Sequence, residues 1–184
     1  MGRASRADAA QHRDDVVQAT SRLLRERGSA GISVQDVMSA AGLTHGGFYK
    51  HFASKDELMG IAAGEAFDEV LVRMAPMDRE EVVKDYLSVS HRDDPGNGCA
   101  CTALAPDAAQ AEAGSPLRTA YAEGLAKTLD AFAGFEEAAD SDDDARRRAV
   151  LDLATLVGAV TLARAAGQTP LSEEILATVL DQLT

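Results

Sequence analysis

The sequence predicts an all-α protein of about nine helices. Strand signals are weak, because aromatic residues make up only 4% of the 184 residues, tryptophan is absent, and no segment alternates apolar and polar residues over six positions. Apolar residues recur instead at the three- and four-residue spacing of a helix. With 46% hydrophobic residues the chain can bury a core of its own. We expect a three-helix domain over residues 1–53 and a second helical domain over residues 54–184.

The first three predicted helices lie in the N-terminal third of the chain. The helical spacing of Val16, Ala19, Thr20, Leu23 and Leu24 predicts a first helix of about five turns that stops before the Gly28–Gly31 segment. Ser33 can cap a second, short helix that runs through Ala40, and Gly42 suits the left-handed conformation that ends it. Thr44 can cap a third helix that ends near His51.

The middle of the chain predicts one long helix, one shorter helix and a turn. Ser54 and Glu57 have the spacing of a capping box, and the apolar pattern after them continues to Pro76, which predicts about 20 residues or ~30 Å of helix. Another helix is predicted from Asp78 to Ser88, and the residues from His91 to Gly98 are typical of a turn cluster. Gly60 and Gly64 in the long helix indicate close packing of a neighbouring helix.

The C-terminal part predicts four more helices. They begin near Cys99, Pro116, Ser141 and Pro170, and the acidic run over 136–144 is predicted to be a solvated loop. The segment from Val150 to Ala166 is apolar on almost every side, so we expect its helix to be buried on several sides. Because the last two helices carry more apolar surface than one small bundle can cover, a helical homodimer interface is expected.

The charge of the chain is unevenly distributed. The net charge is −12, yet residues 1–55 alone carry +3, so the rest of the chain carries −15. This asymmetry indicates an N-terminal segment that meets a polyanion and a body that does not. Arg146, Arg147 and Arg148 follow three aspartates at a helix start, which favours a self-neutralised helix end over a second nucleic-acid contact.

Cysteine content and hydropathy limit the cellular setting and the chemistry. Cys99 and Cys101 are the only cysteines, too few for a disulfide scaffold, which favours a reducing compartment and a cytoplasmic location. No secretory signal or membrane span is expected. Cys99, Cys101 and His91 supply at most three metal ligands and no complete catalytic arrangement. We therefore expect no enzyme activity, no metal and no cofactor.

The segment from Ile32 to Lys55 is the most informative part of the chain. Val34, Val37 and Met38 are spaced to point inward, Gly42 follows two small residues at the turn, and Leu43 and Phe48 close a three-helix core. This spacing is that of a helix-turn-helix. The second helix of the pair would expose polar or short residues, which allow close approach to base edges in a major groove.

The same residues resemble the TetR family of bacterial one-component transcriptional regulators. The resemblance covers residues 12–60 and includes Ala41-Gly42-Leu43, Gly47-Phe48-Tyr49-Lys50-His51-Phe52 and Ser54-Lys55-Asp56-Glu57-Leu58 in the family's order and spacing. It implies a three-helix DNA-binding domain and a C-terminal domain that binds a small-molecule effector and forms a homodimer. The implied partners are double-stranded operator DNA with palindromic symmetry, a second copy of the chain and an unidentified effector that releases a repressor.

The resemblance also implies roles for individual residues. Ser33 would bind phosphate, Gln35 and His45 would reach base edges, and Thr44 and Gly46 would begin the recognition helix. The resemblance also implies that Tyr49, Lys50, His51 and Lys55 contact phosphate or neighbouring bases. Their chemistry agrees, since lysine binds phosphate as a point charge and glutamine can pair with adenine. Val34 departs from the family, which often has a polar residue at this place, so one phosphate contact is expected to be missing.

The effector region is less well defined by the sequence. The segments around Tyr86, His91 and Cys99 are similar to a subgroup of TetR-like proteins, and Tyr121 lies on the apolar face of a later helix. Cys99 is a candidate sensor thiol for oxidants or electrophiles, whereas Cys101 is expected to be structural. Two other functions stay open: a helical protein-interaction adaptor without DNA binding, and a thiol-based redox- or electrophile-responsive regulator.

Overall fold

The computed structural model describes residues 6–135 and 141–184, apart from the side chains of residues 6, 7 and 45. Within those ranges it has nine α-helices, two short 3₁₀-helices and no strand, which confirms the predicted fold class. The α-helices are α1 (Arg6–Arg27), α2 (Val34–Ala40), α3 (Lys55–Met74), α4 (Arg79–Tyr86), α5 (Val89–Asp93), α6 (Ala100–Gln110), α7 (Pro116–Ala133), α8 (Asp142–Ala166) and α9 (Pro170–Leu183).

The turn between α2 and the following segment forms as the sequence predicts. Ser33 Oγ accepts from the Asp36 amide while the Asp36 carboxylate accepts from the Ser33 amide, so α2 begins with a complete capping box. After α2, Gly42 adopts φ 70°, a conformation that a residue with a Cβ rarely takes. The Leu43 amide then donates to the Met38 carbonyl over 2.8 Å and closes the turn.

The third N-terminal helix differs from the prediction. His45–Lys50 form a 3₁₀-helix, which we call the recognition segment, and the Thr44 side chain makes no capping hydrogen bond. The two adjacent glycines, Gly46 and Gly47, disfavour a regular α-helix because glycine loses the most backbone entropy there. The segment therefore forms the tighter three-residue turn of a 3₁₀-helix, in which the Gly47 amide donates to the Thr44 carbonyl.

Helix α3 packs on α1 on one side and on α7 on the other. The contact with α7 is close at two glycines. A Cβ at Gly60 would lie 2.6 Å from the Pro116 Cβ, and a Cβ at Gly124 would lie 2.2 Å from the Phe67 ring. The predicted close packing is thus confirmed at Gly60, whereas a Cβ at Gly64 would meet nothing within 4 Å.

The predicted turn cluster over 91–98 is wrong in its first half. Ser88 Oγ accepts from the His91 amide and caps the short helix α5, and a 3₁₀-helix follows over Pro95–Asn97. Tertiary contacts explain the helix, because the Arg164 guanidinium of α8 donates to the His91 and Arg92 carbonyls at its C-terminal end. Arg92 is itself buried and donates to Ser172 Oγ of α9 over 2.9 Å.

Helix α8 starts as expected but is less buried than predicted. Ser141 caps it, and residues 142–144 of the acidic run form its first turn rather than a loop; residues 136–140 lie outside the described part. Leu151 and Leu162 are 61% and 59% exposed. The expectation of burial on several sides is therefore wrong for this chain alone, because the helices that contact α8 leave the side of Leu151 and Leu162 uncovered.

The same helix is the one described segment that is long and apolar enough to cross a membrane. Its most apolar window has a mean hydropathy of 1.6, and 33% of that window is buried. The buried residues pack in the protein core, and Asp152 forms an ion pair with Arg79 of α4 over 2.6 Å. These contacts are those of a core helix with one uncovered face.

Gly60 and Gly64 form a matched pair for testing the α3–α7 contact. We expect Gly60→Ala to lower the free energy of unfolding by about 1–3 kcal/mol, because the new methyl group would collide with Pro116. Gly64→Ala should instead raise it by roughly 0.5–1 kcal/mol, since alanine is the better helix former and the space is open. Urea unfolding followed by circular dichroism measures both. Equal effects of the two variants would contradict the close packing.

Candidate nucleic-acid interface and buried thiol cluster

The recognition segment is held by an aromatic anchor. Phe48 is completely buried, and its ring meets the rings of Tyr49 and Phe52 at 5.1 and 5.6 Å. The Arg13 guanidinium of α1 lies 5.2 Å from the Phe52 ring and adds a cation–π contact. The segment is thus anchored in the core through Phe48 and packs on α2, while Tyr49 and Lys50 face solvent.

The outer side of the helix-turn-helix presents most of the predicted DNA-contacting residues. Tyr49 is 73% exposed although it is aromatic. A Cβ at Gly46 would meet nothing within 4 Å, which leaves the backbone there open to close approach. The other predicted residues with exposed side chains are Ser33, Gln35, Thr44 and Lys50, while His51 is half-buried. The His45 side chain lies outside the described part of the structure.

A cleft runs between α1 and the recognition segment. It has a volume of about 320 Å³ and is lined by Ala9, His12, Met38, Leu43, Thr44, Gly47, Lys50 and His51. One lysine and two histidines border it, and no carboxylate does. The cleft therefore offers the cationic Lys50 and two imidazole rings beside the exposed face of the segment, where a phosphate backbone would pass.

Ser33 is already engaged in the structure. Its hydroxyl donates to Asp36 Oδ2 over 2.5 Å and also accepts from the Asp36 amide, and these bonds hold the pKa of the Asp36 carboxyl below its usual range. An ionised carboxylate thus lies beside the predicted phosphate contact. Ser33 can meet a phosphate only if its hydroxyl turns away from Asp36.

Lys55 holds the loop that precedes the helix-turn-helix. Its Nζ donates to the Ser29 carbonyl over 2.7 Å, which leaves two of its three donors for solvent or phosphate. The Ser29 amide donates to Asp107 Oδ2 of α6 over 2.9 Å. The backbone of Ser29 is therefore held at its carbonyl by Lys55 of α3 and at its amide by Asp107 of α6. Sequence reasoning missed Asp107 because its partner is 78 residues away and no local pattern marks it.

The four predicted effector-region residues come together in one buried cluster. Tyr86 and His91 stack edge to face at 4.7 Å, and the Cys99 amide donates to His91 Nε2 over 2.9 Å. The Tyr121 hydroxyl donates to the Cys101 carbonyl over 3.1 Å. We call Tyr86, His91, Cys99, Cys101 and Tyr121 the thiol cluster. Among the described residues, no group of three or more ligand-type side chains could hold a metal ion.

His91 is fixed as one tautomer. Its Nδ1 lies 2.6 Å from the Tyr86 carbonyl, which can only accept, while its Nε2 receives the Cys99 amide proton. Both bonds form only when Nδ1 carries the proton and the ring is neutral. Burial lowers the pKa of His91, with Arg164 and Arg73 adding to the effect. A neutral imidazole therefore positions the Cys99 backbone at the start of α6.

The thiol cluster encloses little free space. The cavity beside Cys99 has a volume of about 20 Å³, whereas sites for drug-sized ligands measure roughly 300–1,000 Å³. Phe67 fills the region next to Tyr121, with ring centroids 5.6 Å apart. An effector of more than a few atoms would enter only after these aromatic rings moved.

The different caps of α2 and the recognition segment give a matched test. We expect Ser33→Ala to lower the free energy of unfolding by about 1 kcal/mol, because the α2 amides and Asp36 lose the hydroxyl. Thr44→Ala should have a much smaller effect, since Thr44 makes no side-chain cap. Denaturant titrations of both variants measure this. A larger loss for Thr44→Ala would contradict the cap geometry.

Comparison with protein families matches the helix-turn-helix region. Residues 16–60 match the model of bacterial regulatory proteins of the tetR family. The HTH-type transcriptional repressor Rv3405c of Mycobacterium tuberculosis and the HTH-type transcriptional regulator Mb3439c of Mycobacterium bovis are each 33% identical over 66 residues, or 34% of this chain. The aligned stretch spans about a third, 35%, of the length of these relatives.

Solved structures match over nearly the whole chain. The reduced form of Escherichia coli NemR superposes with a TM-score of 0.77 at 16% identity and covers 95% of each chain. A TetR transcriptional regulator from Chloroflexus aurantiacus gives 0.75 at 24% identity, covering 96% of this chain and 94% of the other. Bacillus subtilis FadR in complex with stearoyl-CoA gives 0.66 at 18%, with 92% and 96% covered. These likenesses concern the fold, and the matched relatives are regulators rather than enzymes. With its helix-turn-helix geometry and the match over residues 16–60, the N-terminal region of this chain is similar to bacterial regulatory proteins of the tetR family.

Proposed function

We propose that the protein is an effector-released repressor that binds a palindromic operator as a homodimer in the cytoplasm. The main support for DNA binding is the geometry of the recognition segment. Phe48 on its inner side is buried, while Tyr49 and Lys50 on its outer side are exposed to solvent. Gln35, Thr44, His45, Gly46 and Lys55 complete the proposed contact surface with Ser33 and His51. One of the matched relatives is a transcriptional repressor, which supports repression rather than activation.

Two regions are proposed to divide this work, with a boundary near residue 53. The N-terminal region carries the positive charge and the exposed recognition segment. The region from residue 54 on carries the thiol cluster, which we propose as the place where a small effector acts. FadR, of similar fold, is solved with stearoyl-CoA, which supports an effector role for this region. The 20 Å³ cavity means that such an effector would have to open the cluster.

The outer face of α8 supports the homodimer. Leu151, Thr155 and Leu162 are exposed, and with Gly158 they fall on one line because positions 4, 7 and 11 residues apart share a helix face. A Cβ at Gly158 would meet nothing within 4 Å. Two large leucines that flank small residues let a second helix approach closely. A C2 pair of chains would cover this apolar surface.

DNA selection from a pool of random duplexes tests the operator. We expect an inverted repeat whose half-sites lie about 34–36 Å apart or a multiple of that spacing. Lys50→Ala should weaken binding to the selected duplex and to scrambled DNA alike and lower the salt slope, because it removes one phosphate contact per chain. Lys84→Ala is the control, since this exposed lysine of α4 pairs with Glu80. Equal losses for both lysines would overturn the proposed surface, and absence of any DNA selection would favour the adaptor function.

Oligomeric state is tested on the proposed α8 face. We expect the double variant Leu151→Glu with Leu162→Glu to sediment as a monomer and to lose operator binding. Both leucines would be buried between the two chains of the proposed dimer, where a charged side chain is unfavourable. Val72→Glu is the control, since Val72 is a 75% exposed residue of α3 outside this face. Sedimentation velocity distinguishes the species. A dimer that survives the α8 substitutions would contradict this interface.

A further inference from the structure

A second cleft, which we call the junction cleft, lies where the helix-turn-helix region meets the rest of the chain. Its walls come from the loop after α1, the first two turns of α3, the end of α6 and the start of α7. It has a volume of about 310 Å³, which is within the range of roughly 300–1,000 Å³ for sites of drug-sized ligands. Unlike the 20 Å³ cavity beside Cys99, it holds a small organic molecule without opening a packed core.

The inner wall of the junction cleft is apolar. Met59 of α3 and Leu117 of α7 line it and are only 3% and 7% exposed, so both belong to the protein core. Pro116 closes the cleft beside them, at the place where α3 and α7 approach each other at Gly60. An apolar group that entered the cleft would therefore lose contact with water on this side, which favours its binding.

The charged lining of the junction cleft is entirely acidic. Asp56, Asp107 and Glu112 line it, and no lysine, arginine or histidine does. Within residues 6–135 and 141–184, no ion pair joins any of these three carboxylates to a cation. Asp56 lies in the first turn of α3, where the helix dipole stabilises a negative charge. That explanation does not apply to Asp107 and Glu112.

The end of α6 concentrates negative charge at the junction cleft. Asp107 is in the last turn of this helix, Glu112 follows its C-cap, and the last turn has no basic residue. Because a helix C-terminus carries a partial negative charge, carboxylates there are unfavourable unless a cation compensates them. Arg118 of α7 donates to the Ala111 carbonyl over 3.1 Å but pairs with neither carboxylate. The cleft thus favours a ligand that brings a positive charge.

Asp107 is held in position before any ligand binds. Its Oδ2 accepts from the Ser29 amide over 2.9 Å, and a Cβ at Gly28 would lie only 3.0 Å from the same oxygen. Its Oδ1 has no hydrogen-bond partner among the described residues. One oxygen of a fixed carboxylate is therefore available to accept from a ligand, and little side-chain entropy is lost when it does.

We propose that the junction cleft binds a small amphipathic cation, whose ammonium or guanidinium group donates to Asp107 and Glu112 while its apolar body lies against Met59 and Leu117. An organic cation fits better than a metal ion, because among the described residues no three ligand-type side chains could hold a metal. The bound molecule joins α6 and α7 to the loop that contains Ser29. This inference does not rest on the proposed function, since binding is measured without DNA.

Calorimetric titration with matched small probes tests the chemistry of the site. Phenethylamine, an ammonium ion on an aromatic body, should bind one molecule per chain. Phenethyl alcohol lacks the charge, ethylamine lacks the apolar body and hydrocinnamate reverses the charge, so each should bind about tenfold more weakly or worse. No saturable binding of phenethylamine would overturn the proposal, and so would equal binding of phenethyl alcohol or of ethylamine.

Carboxylate variants separate a built site from general attraction to an acidic protein. Asp107→Asn and Glu112→Gln should each weaken phenethylamine binding about tenfold, the effect of losing one charge-assisted hydrogen bond. The Asp107→Asn side chain keeps a carbonyl oxygen for the Ser29 amide, so the loop contact is retained. Glu123→Gln is the control, since Glu123 of α7 is exposed and does not line the cleft. An equal loss for Glu123→Gln and Glu112→Gln would overturn the site.

Ala111→Phe tests the cleft itself without any change of charge. Ala111 is half-buried and lines the cleft, so a phenyl ring there should fill the space and abolish phenethylamine binding. Circular dichroism and a thermal melt like those of the wild type confirm that the variant folds. Unchanged affinity in a folded Ala111→Phe variant would contradict binding in this cleft.

Amide hydrogen exchange locates the bound probe. At a phenethylamine concentration of about ten times its Kd, exchange of the Ser29 amide should slow about tenfold, because opening the contact with Asp107 also releases the ligand. Glu112→Gln at the same concentration should show a smaller effect. Slowing confined to the thiol cluster would place the ligand there and overturn the junction cleft as its site. Failure of operator binding would refute the proposed function and leave these measurements unaffected.

Discussion

The structure depends on the way α3 is packed between α1 and α7. Nine of its residues are buried, and the glycine contacts at Gly60 and Gly124 let α7 lie directly against it. On the other side, buried Arg25 of α1 donates to the Ala66 carbonyl and pairs with Glu69 over 2.5 Å. Since α3 contributes to the core beside the helix-turn-helix and to the core around α7, the two regions share one rigid element.

Local patterns allowed the sequence to predict much of this fold. Caps are short-range features, so Ser33, Ser54, Asp78 and Ser141 were found where their helices begin. Gly42 at φ 70° was predicted for the same reason, because a left-handed residue must follow α2 for the turn to close. The four effector-region candidates also meet in one cluster. Helical spacing indicates an inward position only for Tyr86 and Tyr121, because His91 was predicted in a turn and Cys99 precedes α6.

The errors arose where distant contacts outweigh local propensity. Helix α5 looked like a turn because its stabilising groups are Arg164 of α8 and Ser172 of α9, more than 70 residues away. The recognition segment is an exception with a local cause, because Gly46 and Gly47 disfavour a regular α-helix while buried Phe48 fixes the position of the segment. On α8, the apolar pattern predicts burial on several sides, but Leu151 and Leu162 are exposed in this chain. Asp107 carries no local signal at all.

The charge distribution favours approach of the N-terminal segment, rather than the rest of the chain, to a polyanion. The acidic body, at −15, is repelled by phosphate, whereas the N-terminal segment, at +3, is attracted. At physiological salt this charge asymmetry acts over about 8–10 Å, which is long enough to favour one orientation during approach to a polyanion. Attraction alone is weak because the positive excess is small. A small positive excess of this kind supports only weak attraction for a single chain, which is why the proposed function places two N-terminal segments on one operator.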